Sequence, residues 1–334
     1  MGSPLQKDQV AADAKWLVHV DVDKLRSTKV GDYIINQVLN SKLGPLTRQF
    51  GFDLDWSKVR SLTAYGAGYE PKSSFKGVLL IKTELDLQKS LDAAVEKTSQ
   101  ENDKRPAAIQ KTQEGDVTTY SLKDQLFVSF KPKRPVVIGK SLDSIEKADE
   151  VLSGTSPNLA STKTFSEYPK PQDPFFFIGA VDAFRSGAEI FGDSHDGDAM
   201  NPQAKILKLA EGGRVVLGED SGQLSLDLSL KAKSSEVVTQ IQQVIQGMIA
   251  LASLSQPDNQ DLQQLAQSAK VSSAGNIVTL KLGYPAEQAV SLLDNNINRR
   301  VERREHADNR EAHGRKHRSR NNDTAEKPAK TDEQ

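Results

Sequence analysis

The 334-residue sequence contains no cysteine. Disulfide bridges, thiolate nucleophiles and thiolate metal centres are excluded together by that absence. An excess of charge of one sign is missing as well: 44 lysines and arginines stand against 45 aspartates and glutamates, for a net charge of −1. No overall field then draws the chain to nucleic acid or to an anionic membrane surface, and neither is expected as a partner. No unbroken apolar run approaches the ~18 residues that span a bilayer, so no transmembrane segment is expected. The start, MGSPLQKDQVAADAK, lacks the hydrophobic stretch of a signal peptide. Its Met1-Gly2-Ser3 reads as a cloning remnant on a trimmed start, and Gln6 breaks the myristoylation pattern where Ser or Thr is required. A nucleophile elbow, a phosphate-binding loop and a zincin helix are also missing, so no cofactor is expected and catalysis has no signature to rest on.

What the sequence does contain is a repeat. WLVHVDVDKLRS, Trp16 to Ser27, is echoed by FFFIGAVDAFRS, Phe175 to Ser186. Trp16, Val18, Val20 and Val22 alternate with Leu17, His19, Asp21 and Asp23, the period-2 pattern of a strand with one buried face, here expected to be the Trp16 face. A helix is expected to follow, with Val30, Ile34, Ile35, Val38, Leu39 and Leu43 at helical spacing until Gly44-Pro45 stops it. In the second copy Asp182 takes the place of Asp23, and Arg185 that of Arg26. The echo continues: Val59–Thr83 and Gly213–Ala232 each read as two strands joined by a turn, and each leads into an apolar-striped helix. EGDVTTYSL, Glu114 to Leu122, matches AGNIVTLKL, Ala274 to Leu282, with Gly-Asp and Gly-Asn at hairpin-turn positions.

Each copy therefore reads strand, helix, strand, strand, helix, strand. The expected fold class is α+β: a tandem duplication of a ferredoxin-like (βαββαβ-type) antiparallel sheet with helices on one face. Copy one, residues 12–153, carries extra strands at Leu126–Phe130 and Pro135–Gly139. A turn-rich linker is placed at 154–173 and copy two at 174–298. The tail, 299–334, mixes both charges, carries His306, His313 and His317, and has almost no apolar residue after Val301, so it is expected to be largely disordered.

HVDVDKLRS, followed by KVGDYI, resembles the opening of a group of uncharacterised exported proteins of planctomycete and verrucomicrobial type bacteria. That resemblance implies an α+β body and a periplasmic or secreted location if a native leader has been removed; without a leader the location would be cytoplasmic. It supplies no reaction.

His19, Asp21 and Asp23 are the candidate metal ligands, because alternation on one strand would project an imidazole and two carboxylates from the same face. Against that stands a structural role, with Asp23 as a helix N-cap and His19 and Asp21, which become Ile178 and Ala180 in copy two, as the polar face of a solvated sheet. Two other stretches fail their patterns. GDSHDGDAMNP, Gly192 to Pro202, does not fit a calcium-binding loop, and YGAGYEP, Tyr65 to Pro71, has proline where a dinucleotide fingerprint needs glycine. Two function classes follow: a non-catalytic extracytoplasmic binding or scaffold protein for an unknown protein or envelope component, and a metal-dependent hydrolase or metal-binding module on His19, Asp21 and Asp23.

Overall fold

The computed structural model describes residues 2–41, 55–68, 77–101, 109–122, 125–171, 174–182, 206, 208–255 and 259–295. The Gly192–Pro202 stretch, Arg185, most of YGAGYEP's turn and the tail from 299 lie outside them. Met1–Glu287 form one compact unit, which holds every described strand; Gln288–Gln334 form a second, helical over 288–295.

Twelve strands alternate through the first unit: β1 (Trp16–Asp21), β2 (Val59–Gly66), β3 (Val78–Thr83), β4 (Ile109–Glu114), β5 (Val117–Leu122), β6 (Leu126–Phe130), β7 (Val136–Gly139), β8 (Phe177–Val181), β9 (Ala210–Asp220), β10 (Gln223–Ala232), β11 (Lys270–Ala274) and β12 (Ile277–Pro285). Three tight turns follow from residues that tolerate positive φ. Gly115, at φ 60°, and Gly275, at φ 58°, each open a two-residue turn, while Ser221 and Gly222 both take positive φ between β9 and β10.

The strands form a single open sheet in the order β11-β12-β10-β9-β8-β1-β2-β3-β7-β6-β5-β4, and every pair is antiparallel. This corrects the ferredoxin-like expectation. A split βαβ plait places its first and third strands side by side, whereas here β1 lies between β2 and β8, and the two halves share one sheet instead of building two. Sequence order alone cannot tell a plait from a meander, because both bury the same strand faces. The repeated opening strands, β1 and β8, are neighbours, and His19 is paired directly with its sequence counterpart Ile178. In the second half β12 flanks β10 as β7 flanks β3, so the matched hairpins Glu114–Leu122 and Ala274–Leu282 hold different places in the sheet.

The central strands are covered on both faces. On one, Leu17, Tyr65, Leu80, Ile178, Ala180 and Val216 pack with Val10 and Ala14 of the N-terminal segment, with Ile145 and Ala148 of α4 (Leu142–Ser153), and with Leu159, Phe165 and Tyr168. The last three belong to the stretch expected as a linker. It is tied to the N-terminal segment by Leu159 N–H donating to the Val10 carbonyl at 2.7 Å and by an Ala11–Asn158 bridge. On the other face Val20, Leu62 and Leu217 pack with Val22 and Leu25 of α1 (Val22–Leu25), with Ile35 and with Trp56. Further out on that face lie α3 (Leu87–Glu101), over Tyr120 and Val128, and α5 (Ser235–Ser255), over Leu230 and Val278. Helices on one face is thus corrected to helices on both, since α4 crosses to the Leu17 side.

The long helix expected after β1 is broken. α1 ends at Leu25, and a new start, α2 (Lys29–Tyr33), runs on through π-helical turns at Ile34–Leu39. Thr28 caps α2 by accepting from Gly31 N–H at 2.9 Å. Glu219 at the end of β9 accepts from Lys29 and Val30 N–H at 3.0 and 3.1 Å, so a carboxylate of the second half holds a helix start of the first.

Candidate functional site

β1 turns Leu17, His19 and Asp21 to the same face, and that face is the better buried one. His19 and Asp21 are each only 1% exposed. The expectation of a solvated polar face is therefore wrong, and so is the choice of the Trp16 face as the buried one. The cause is the cover described above: the N-terminal segment lies over this face and shields it from water. In copy two the matching Ile178 and Ala180 are also buried, so the positions are alike and only their chemistry differs.

His19 uses both ring nitrogens. Nε2 lies 3.0 Å from the Ser3 carbonyl oxygen, which can only accept, so Nε2 carries the hydrogen. Nδ1 of the neutral ring then accepts from the Thr63 hydroxyl at 2.8 Å. Burial pushes the imidazole below its ordinary 6.5, against the opposing pull of the Ser3 carbonyl and the Asp21 charge. The folded chain therefore binds fewer protons at this ring than the unfolded chain. The resulting stability is complete above about pH 6.5 and is lost as pH falls from there towards the folded value. His19→Gln should flatten the fall in urea midpoint between pH 7.5 and 5.5, where one such group contributes at most about 1.4 kcal/mol per pH unit. An unchanged slope in the variant would mean that other groups set this limb.

Asp21, not Asp23, is the helix cap: its Oδ1 accepts from Lys24 N–H at 3.0 Å. Its Oδ2 is buried without a hydrogen-bond partner, under Gly2, where an added Cβ would stand 2.6 Å from that oxygen. Asp23 has left the strand altogether. It sits in the first turn of α1, where Oδ1 accepts from Arg26 and, at 3.1 Å, from Arg60, while Oδ2 accepts from the Ser3 hydroxyl at 3.3 Å. Arg26 is thus paired with a carboxylate one helical turn before it. Arg60 also binds Glu84, and Arg26 donates to the carbonyls of Trp56, at 2.9 Å, and Ser57.

One face for all three candidates is thus corrected, because the chain turns helical at Val22 and strand alternation ends before Asp23. Among the described residues no group of three or more His, Asp or Glu side chains is placed to hold a metal ion. Ser3, Thr63 and Arg60, which complete this network, carried no sequence signal, since each is joined to it only by tertiary contact.

Beside the network lies a cleft of about 320 Å³, lined among others by Arg26, Asp32, Asn36, Asp55 and Trp56. The Ser57 hydroxyl and amide hold the Asp55 carboxyl below the usual carboxylate range. The guanidinium that would clamp an anion there, that of Arg26, is already committed to Asp23 and two carbonyls.

By fold the chain is an α+β protein built on one twelve-strand antiparallel open sheet with helices. No family model matches it and no curated protein does. Among solved structures, crystal form III of TP0453 is similar with TM-score 0.49 and 12% identity, covering 88% of this chain and 99% of that one. Crystal form I gives 0.46 and 12% over 88% and 98%, and form IV gives 0.47 and 14% over 87% and 97%.

Proposed function

We propose that this protein is a non-catalytic extracytoplasmic body that binds a protein or other envelope component through its sheet edges. The observation that carries this reading is the use made of His19 and Asp23, the most suggestive polar groups of the sequence: every hydrogen-bonding atom named for them is engaged in holding the N-terminal segment, α1 and β2 together. The outer strands supply the means of binding. Among the described strands β4 and β11 each have one sheet neighbour, and their side chains are mostly exposed, which leaves a row of backbone N–H and C=O groups for an added strand.

The hairpin registers Glu114–Val117 and Ala274–Ile277 direct the backbone groups of Gln113 and Ser273 outward. Proline at either position removes an outward donor and leaves the internal ladder intact. A partner retained from the source organism's envelope fraction by the full chain should be lost with Gln113→Pro or Ser273→Pro. Failure to retain any partner, with turnover in a broad hydrolase screen, would overturn the reading. We hold also that the two halves descend from one duplicated unit, which the adjacency of β1 and β8 and the direct His19–Ile178 pairing support.

A second reading, a metal-binding module or metal-dependent hydrolase at His19, Asp21 and Asp23, draws on one observation, the unpartnered buried oxygen of Asp21. A ligand bound only by the native state raises the melting temperature in proportion to its occupancy. On this reading zinc, manganese or calcium raises it in the unaltered chain and not in His19→Ala or Asp21→Ala. A melting temperature unmoved by excess of all three removes it.

A further inference from the structure

We infer that the C-terminal end of α5 docks into the hydrocarbon region of a lipid bilayer. The inference stands on this helix alone and does not depend on the sheet-edge reading. Over Ser235–Leu254 the helix is long and apolar enough, by length and composition, to cross a membrane, yet only 17% of its most apolar window is buried inside the protein. A helix that serves only as a core element would bury most of such a window. No Asp, Glu, Lys or Arg occurs from Val237 to Pro257, because glutamine, serine and threonine supply all the polarity. The absence of unbroken apolar runs therefore concealed a segment that carries no charge at all.

The helix divides lengthwise. Val238, Ile241 and Ile245 pack on Leu230, Ala232 and Val278, and the packed stripe ends with Met248 and Ile249. The outward face begins polar, with Gln240, Gln243 and Gln246, and ends apolar at Leu251 and Leu254, which are 63% and 78% exposed. These are the two most exposed large hydrophobic side chains among the described residues.

The size and chemistry of this tip favour lipid over protein. Two leucines fall far below the ~600 Å² per partner that even a weak specific protein interface buries. Exposed aromatic or arginine anchors of the kind that fix such an interface are missing from the stretch. Insertion into acyl chains needs no complementary surface, only apolar side chains free of charge.

Flotation of the full chain with neutral phosphatidylcholine vesicles tests the inference. The chain should float with the vesicles, equally in low and high salt, because no ion pair is involved. Leu251→Glu/Leu254→Glu should reduce the bound fraction about tenfold or more, since each substitution places a charge where hydrocarbon is required. Leu142→Glu, at an exposed leucine on α4, should leave flotation unchanged. Leu254→Trp should show a blue-shifted emission with vesicles that brominated acyl chains quench. A chain that stays with the lipid-free fraction, or a double variant that floats like the unaltered chain, overturns the inference. So does a dimer by light scattering that the double variant dissociates, which would assign the tip to a second copy of the chain.

Discussion

Tyr120→Ala should lower the unfolding free energy by about 3–5 kcal/mol, the range found when large buried aromatics are truncated. Tyr120 is 0% exposed and is enclosed by Leu91, Ile109, Val128, Phe130 and Val136, with the Phe130 ring edge-on at 5.6 Å. The backbone around it is a meander of strands roofed by α3, which cannot collapse into a ring-sized void, so the cavity term adds to the lost transfer free energy. Its hydroxyl donates to Asp92 Oδ1 at 2.7 Å, and Lys111 donates to the same oxygen. Those two donors, Lys111 first, hold the Asp92 carboxyl below its usual range. Asp92 is partly exposed and can take water in place of the phenol, so Tyr120→Phe should cost only about 1 kcal/mol. Thermal denaturation should place the alanine variant about 6–12 °C below the unaltered chain and the phenylalanine variant within a few degrees of it. Equal losses in the two variants would show that the hydrogen bond, and not the ring, carries the effect.

Gly31→Ala should destabilise by about 3 kcal/mol or more, an unusually large effect for the addition of one methyl group. A Cβ at Gly31 would stand 1.8 Å from the Leu25 carbonyl oxygen and 2.7 Å from Thr28 Oγ1. The first is backbone of the preceding helix and cannot rotate away, so the corner between α1 and α2 has to open. Opening it strains the Thr28 cap and the two hydrogen bonds to Glu219, and so loosens the tie between the halves of the sheet. The measurable consequence is a drop in urea midpoint together with faster amide exchange at Lys29, Val30 and Gly31. An alanine variant of unaltered midpoint would show that the corner adapts. Gly31 is the glycine of KVGDYI, and close approach of backbone is a sufficient reason for it there.

Much of the fold could be read in the chain without coordinates. Alternation marked β1; strand pairs joined by turns marked β2, β3 and the pair β9–β10; β6 and β7 were legible as extra strands; Gly115-Asp116 and Gly275-Asn276 marked their hairpins; apolar stripes marked α3 and α5. These signals are local, because a strand's period and a turn's φ are properties of neighbouring residues. The α1–α2 break was not legible, since it depends on Glu219 nearly two hundred residues away and on the close approach of Gly31 to Leu25. For the same reason the chemistry of His19, Asp21 and Asp23 was visible as residue types, while their environment was not.

The sequence by itself determined that this is an α+β chain with two similar openings, no thiol chemistry and hairpins at defined places. Only the tertiary structure decided that both halves enter one sheet, that Leu17, His19 and Asp21 form the inner face of β1, and that Val10 and Ala14 of the N-terminal segment and Leu159, Phe165 and Tyr168 beyond α4 join the core. The physical reason is the geometry of burial. A period-2 pattern identifies two faces but does not say which is covered, and a strand capable of pairing on both edges does not name its neighbours. Those choices are made by the apolar side chains of Val10, Leu159, Phe165 and Tyr168, which find cover only when distant segments close over the sheet, and which take His19 and Asp21 out of water as they do so.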